Sequence, residues 1–156
     1  MRGNHEVIAE LNAALAAELT AIVQYMTQSE MCQNWGYTRL GERTKVRAIE
    51  EMKHAEALIE RIIFLDGAPT VGVALKPQLG RNVQQQMQIN LKDERDAVRQ
   101  YNQAMKVCRK ADDDGSRVLF ERMVKDEERH VDYLEAQIHS IDEMGIANYL
   151  AQFLHE

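Results

Sequence analysis

The sequence predicts an all-α protein: four long helices packed as a bundle, joined by two short loops and one long crossover, with a short fifth helix at the C-terminus. Three observations predict this. The 156 residues are 45% hydrophobic, enough to close one core, and contain only two prolines and eight glycines, with Ala, Leu, Glu, Gln, Lys, Arg and Met dominating the rest. Breakers cluster at Gly3-Asn4, Trp35-Gly36, the stretch from Gly67 to Gly80, Asp112-Asp113-Asp114-Gly115, and Gly145. Between them, apolar residues recur at steps of three and four, the spacing of one helix face.

The first helix is expected over about 5–33, with Asn4 as its N-cap. The second covers about 38–65, with Gly41 out of place near its start and Gly67 suited to the left-handed position after its end. Pro69 and Pro77 both fall in the next connection, which at about fourteen residues can travel the length of a bundle. The third helix covers about 82–111, with Asn82 as a candidate cap, and the fourth about 115–144, closed by Gly145. A short helix over about 146–154 follows, rich in apolar residues (Ile146, Tyr149, Leu150, Phe153, Leu154) that find no place in a closed bundle and so suggest subunit contacts. Two short loops flanking one long crossover give an up-down-down-up path, and residues 1–156 are expected to form one domain.

A net charge of −6, without any local run of Lys and Arg, gives no reason to bind nucleic acid and favours cationic partners. The polar start, Met1 to Glu6, lacks the apolar region of a signal peptide, and nothing reaches the length of a membrane span. A soluble cytoplasmic protein is expected, and two lone cysteines do not argue for a disulfide framework.

Sliding the sequence against itself by 76 residues aligns Glu18 with Glu94, Tyr25 with Tyr101, Cys32 with Cys108, Glu51 with Glu127 and His54 with His130. The match is sharp along one seam of each helix and absent from most surface positions. In the first helix the seam reads Leu11, Leu15, Glu18, Ile22, Tyr25, Ser29, Cys32; in the third, Met87, Leu91, Glu94, Val98, Tyr101, Met105, Cys108. The second continues Glu51, His54, Leu58, Ile62 and the fourth Glu127, His130, Leu134, Ile138. Each inward face thus carries an acid where the pattern calls for an apolar residue.

Stripping water from a carboxylate costs several kcal/mol, so four glutamates at one level of one core need compensation. The seam supplies two imidazoles and no lysine, and its single arginine, Arg47, lies one turn from Glu51 on the second helix alone. Two divalent cations would cancel the four charges. Carboxylate oxygen and neutral imidazole suit iron, manganese or zinc, and Glu-x-x-His at i and i+3 turns both side chains toward one ion. One such motif on a charged helix is usually a solvated face. Two copies, each 33 residues after another seam glutamate, are not. Tyr25 and Tyr101 are either ordinary core tyrosines or hydrogen-bond donors to the carboxylates.

Over essentially its whole length the chain resembles the bacterioferritins. The resemblance rests on the six seam residues and on Glu18-Leu19-Thr20-Ala21-Ile22, Gln24-Tyr25, Asn34-Trp35-Gly36, Glu51-Met52-Lys53-His54-Ala55, Ile59-Glu60-Arg61-Ile62, Asp126-Glu127-Glu128 and Asn148-Tyr149-Leu150. It implies a ferritin-like bundle with two iron ions per subunit: Glu18 and Glu94 as terminal ligands, Glu51 and Glu127 as bridges, and one of His54 and His130 on each ion. It also implies ferrous oxidation, storage of ferric mineral in a shell of twenty-four subunits built from twofold dimers, one haem per dimer, and a ferredoxin-type electron donor. Val46 and Glu50 depart from the histidine and aspartate of many family members, which weighs against a separate inner-surface iron site. A rubrerythrin-like di-iron peroxidase would use the same ligands but carries a four-cysteine iron site that this chain lacks. A haem-binding electron-transfer protein with a purely structural metal site is the remaining alternative.

Away from the seam the repeat breaks down. Leu19, Val23, Met26, Ile49, Met52 and Ile59 correspond to Arg95, Arg99, Asn102, Lys125, Glu128 and Glu135. The apolar member of each pair lies roughly a quarter turn from the seam, outside the bundle core. Such a stripe suggests a twofold contact built on the first two helices, with Met52 near its centre. Met52 is then either interface packing or, as the resemblance implies, an axial thioether ligand of a haem shared with its symmetry mate.

Overall fold

The computed structural model describes residues 1–72 and 76–154. Its helices are α1 (His5–Asn34), α2 (Thr38–Phe64), α3 (Val83–Lys110), α4 (Asp114–Met144) and α5 (Ile146–Ala151). The Asn4 carboxamide accepts from the amides of Glu6 and Val7, and the Asn82 carboxamide from that of Gln85, satisfying N–H groups that the first turn leaves without partners. Asp113 does the same for α4, accepting from Ser116.

Side-chain contacts fix the directions. Along α1, Glu18, Tyr25 and Gln28 meet Tyr101, Glu94 and Asn90 of α3 in descending order, so the two helices are antiparallel. Along α2, Glu50, His54 and Arg61 meet His130, Asp126 and Ser116 of α4 in the same way. The chain therefore runs up-down-down-up, two antiparallel hairpins joined by the crossover. That crossover is seated on α1: the Asn12 amide donates to the Ala68 carbonyl near its start, and Gln24 accepts from the Gln78 amide near its end.

Two apolar clusters fill the core on either side of a polar middle. One contains Leu11, Leu15, Leu58, Ile62, Cys108 and Phe120; the other contains Cys32, Leu40, Met87, Leu134, Tyr149 and Phe153. The cysteines are both free and buried, and they lie in different clusters. Burial pushes each thiol up to about 11. Among the described residues no helix is long and apolar enough to cross a membrane.

Two expectations need correction. The left-handed residue after α2 is Asp66 (φ 58), not Gly67; the amide of Gly67 then reaches back to the Ile62 carbonyl, completing the helix stop. Gly67 is required for space instead, since a Cβ there would lie 2.9 Å from Ile8. The fifth helix also has a place in its own subunit. Tyr149 and Phe153 are buried in the second cluster, and the Tyr149 hydroxyl donates to Gln137 at 2.6 Å. Only Leu154 of the five apolar residues stays exposed. The misplaced Gly41 marks where α1 and α2 touch: Ser29 donates to its carbonyl at 2.7 Å, and a Cβ would meet Gln33 at 2.8 Å.

Candidate metal centre

The polar middle of the bundle is built by the seam. Glu18, Glu51, His54, Glu94, Glu127 and His130 come from four different helices, and every one is buried. They form two groups whose ligand atoms lie within 4.8 Å of one another: Glu18, Glu51, His54 and Glu127 in one, Glu51, Glu94, Glu127 and His130 in the other. Glu51 and Glu127 belong to both. Either group could hold a metal ion, and a pair of ions would share those two carboxylates.

The donor set fits such ions on a further ground. Glu18 Oε2, His54 Nδ1 and Glu127 Oε1 are buried without a hydrogen-bond partner of acceptable geometry, and all three belong to the first group. Orphaned buried polar atoms are rare and costly unless something else binds them. The pair His54 Nδ1 and Glu127 Oε1 lies at 3.1 Å yet is misaligned for a hydrogen bond, an arrangement suited to two donors aimed at a common third atom.

A ferritin-like domain family matches residues 8–144. Over 152 residues the chain is 40% identical to the bacterioferritin of Mycolicibacterium paratuberculosis, covering 97% of this chain and 96% of that one. The chain belongs to the bacterioferritin family. Bacterioferritins of Brucella melitensis (39% over 149 residues, 96% and 92% covered) and Rhodobacter capsulatus (38% over 145 residues, 93% and 90% covered) stand at similar distances.

In this bacterioferritin-family chain the two tyrosines act across the hairpins. Tyr25 donates to Glu94 Oε1 at 2.5 Å and Tyr101 to Glu18 Oε1 at 2.5 Å, so each tyrosine orients the outer glutamate of the opposite half. The histidines are held from outside in the same crossed way. His54 Nε2 meets Asp126 at 2.9 Å and His130 Nε2 meets Glu50 at 2.8 Å, leaving each Nδ1 facing the glutamates. Sequence reasoning missed these two carboxylates as partners of the histidines. The signal was present, because the same 76-residue offset that pairs the ligands pairs Glu50 with Asp126. Glu50, noted only as a departure from the family, thus has a clear position here.

Electrostatics separate the residues. Burial first, then the neighbouring Glu51 charge, lifts Glu18 well above the usual carboxylate range, and burial beside Glu127 does the same to Glu94. Burial also raises Glu127 against the opposing contacts of Glu94 and His54. At Glu51 burial is outweighed by the close approach of Glu18 and His54 and by Arg47, which hold it well below the ordinary range. His54 is raised in spite of burial by Glu127, Glu18 and Glu51, whereas burial and the Arg47 charge lower His130. Burial and mutual repulsion thus favour the protonated forms of Glu18 and Glu94, a tendency that a bound cation would oppose.

Arg47 is the second contact the sequence understated. Its guanidinium donates to Glu94 at 2.5 Å, to Glu51 at 3.3 Å and to Glu50 at 3.1 Å, and it lies over the Tyr25 ring at 5.0 Å. A cavity of about 410 Å³ opens from this centre between α1 and α3, reaching Glu18, Glu51, Glu94 and Glu127 and lined further out by Asp93, Asp96 and Lys76. Met52 lies elsewhere, 44% exposed on α2 with Met26 and Ile49 also exposed, and none of the three lines the cavity that reaches the carboxylates.

Proposed function

We propose that this chain is an iron-storage ferroxidase: it oxidises ferrous iron at the paired site and its assembled shell stores the ferric product. The observation that carries the reading is the sharing of Glu51 and Glu127 between two four-residue groups, which suits two ions acting together. Glu18 with His54 and Glu94 with His130 complete the two sides. The names of the relatives, all bacterioferritins, support iron over manganese or zinc.

Two ferrous ions are the substrate, and each gives up one electron. Dioxygen takes the pair with two protons to become hydrogen peroxide, or peroxide takes it with two protons to become water. The chain's own residues orient the site: Tyr25 and Tyr101 hold the outer glutamates, while Asp126 and Glu50 fix both imidazoles with Nδ1 inward. The acid-lined cavity between α1 and α3 offers cations a path inward. Residues 1–156 act as one ferritin-like domain, twofold dimers of which assemble into a shell of twenty-four subunits in the cytoplasm, with a ferredoxin-type donor mobilising the mineral.

Haem fits the same account at one place. Met52 is an exposed thioether among exposed Met26 and Ile49, and its repeat counterpart is Glu128, so each chain offers one soft ligand on one apolar face. Two Met52 side chains across a twofold axis would hold one haem, which supplies one-electron transfer when bound. The rubrerythrin-like peroxidase lacks support, since the two cysteines are buried in separate clusters.

The test is stopped-flow absorbance of haem-free, assembled protein mixed with ferrous iron, followed by particle size and iron content after repeated additions. Fast oxidation and a mineral-filled shell are expected. A shell-less particle that consumes peroxide without retaining iron would favour the peroxidase, and absence of fast oxidation would leave the site structural.

A further inference from the structure

The two halves of the metal centre are duplicated in their ligands but not in their neighbours, and the difference is concentrated in one residue. Arg47 lies one turn before Glu51 on α2; the residue one turn before Glu127 on α4 is Met123, its counterpart under the 76-residue offset. Met123 is fully buried in an apolar cluster and brings no charge. Among the described residues, Arg47 is the only lysine or arginine ion-paired with any of the four glutamates, and it pairs with Glu94 and Glu51.

The consequences for the two sides differ. On the Glu94–His130 side, Glu94 Oε1 accepts from both Tyr25 and Arg47, Glu51 Oε1 accepts from Arg47, and neither glutamate has an orphaned atom. On the Glu18–His54 side the tyrosine contact to Glu18 is repeated, but among the described residues no lysine or arginine pairs with Glu18, and the orphaned atoms of Glu18 and His54 lie there beside that of Glu127, which both sides share. One side is already partly satisfied by a guanidinium of the chain itself. The other meets that guanidinium only through the shared Glu51.

We infer that Arg47 is an internal counter-ion that occupies the Glu94–His130 position in the metal-free protein, so that divalent ions fill the Glu18–Glu51–His54–Glu127 position first and the second position only as Arg47 withdraws. The inference rests on the paired-metal reading above. The structure gives the guanidinium somewhere to go. Arg47 keeps a contact to half-exposed Glu50 at 3.1 Å, and with Tyr25 it lines a separate cavity of about 220 Å³ that also borders Arg43, Thr44, Asn90 and Tyr133. A cation held by hydrogen-bonded carboxylates must be given up before another can replace it, so the second ion binds more weakly than ligand identity alone would set. Arg47 is thus a positioning residue that orders loading.

The probe is zinc, which is redox-inert, added to the metal-free assembled protein. Crystals exposed to about one zinc per chain should show anomalous scattering at the Glu18–His54 position. Calorimetry should resolve a second ion weaker by roughly tenfold or more, the size expected for displacing a charge-assisted ion pair. Arg47→Met should remove the preference between positions and narrow the gap; Arg47→Gln serves if that variant does not assemble. Zinc found first at the Glu94–His130 position in wild type, or equally at both, overturns the inference, as does a gap unchanged in the uncharged variants. Absence of zinc binding in wild type would instead sink the paired-metal reading on which the inference depends.

Discussion

The α1–α2 hairpin and the α3–α4 hairpin present almost the same inner face and very different outer ones. Inside, Glu18, Tyr25, Glu51 and His54 are matched by Glu94, Tyr101, Glu127 and His130, and even the carboxylates behind the imidazoles, Glu50 and Asp126, correspond. Outside, Met26, Ile49 and Met52 stand exposed where the second hairpin has Asn102, Lys125 and Glu128. A site built between two helical pairs needs the same donors from each, whereas an interface needs only one face per chain. The lesson is that symmetry within one chain points to a site both halves build, while an exposed apolar face where it breaks down is the candidate for a contact with another chain. Arg47 against Met123 is a breakdown that touches the centre itself, exchanging a charged side chain for an apolar one.

The comparison is tested most severely by removing equivalent ligands. Glu18→Ala and Glu94→Ala should each slow the fast phase of ferrous oxidation roughly 100-fold or more, because either loss disables one of two ions that act together. Circular dichroism should show helix content retained in both. A variant with an unchanged fast phase in stopped-flow absorbance would remove that glutamate from the centre and break the equivalence of the halves.

On the outer faces the equivalence should fail. Met52→Leu keeps similar apolar volume and should preserve assembly and ferrous oxidation while losing bound haem, whereas Glu128→Leu should leave haem unchanged. Absorption spectra of the purified variants decide it. Stoichiometric haem in Met52→Leu would reduce Met52 to packing.

Smaller effects belong to the residues behind the histidines. Asp126→Asn and Glu50→Gln should each weaken divalent metal binding by about 10–100-fold, since each carboxylate holds one imidazole with Nδ1 inward. Calorimetric affinities equal to wild type in both would show that the imidazoles orient without help.

The mildest effect is thermal. Glu18, Glu94, Glu127 and His54 are raised in the folded state, so the metal-free fold holds protons that the unfolded chain releases above about pH 4.3 for glutamate and about pH 6.5 for histidine. Their contribution is present at low pH and is lost as pH rises. Lowered His130 opposes this below about pH 6.5, and lowered Glu51 loses its contribution only in strong acid. The Tm of metal-free protein should therefore fall between about pH 5 and 8. Saturating zinc should raise Tm by roughly 5–10 °C at neutral pH and reverse the slope, because metal displaces those protons. Melting curves indifferent to zinc at every pH would argue against a preformed site.

The helix bounds were legible because breakers are few and the seam is regular: Asn4 and Asn82 cap where they should, and Gly145 carries its positive φ. The convergence of the six buried ligand candidates was legible from the repeat, which turns separate weak motifs into one pattern. Three features were not. Asp66 rather than Gly67 takes the left-handed position, since an aspartate tolerates that conformation and the glycine is needed for contact with Ile8. The seat of α5 against the bundle depends on Tyr149 and Phe153 reaching a cluster drawn from α1 to α4, a packing that periodicity does not encode. The reach of Arg47 to Glu94 crosses from α2 to α3, and a long flexible side chain one turn from a ligand gives no hint of which carboxylate it will choose.

The most direct test of the account is the number of ferrous ions oxidised per chain in the fast phase, measured by titrating metal-free, haem-free shells with ferrous iron under rapid mixing. Two carboxylates shared between two buried four-residue groups predict a break at two ions per chain, lost in Glu94→Ala. A break at one ion per chain, or a fast phase that grows without saturating and survives Glu94→Ala, would contradict a paired centre.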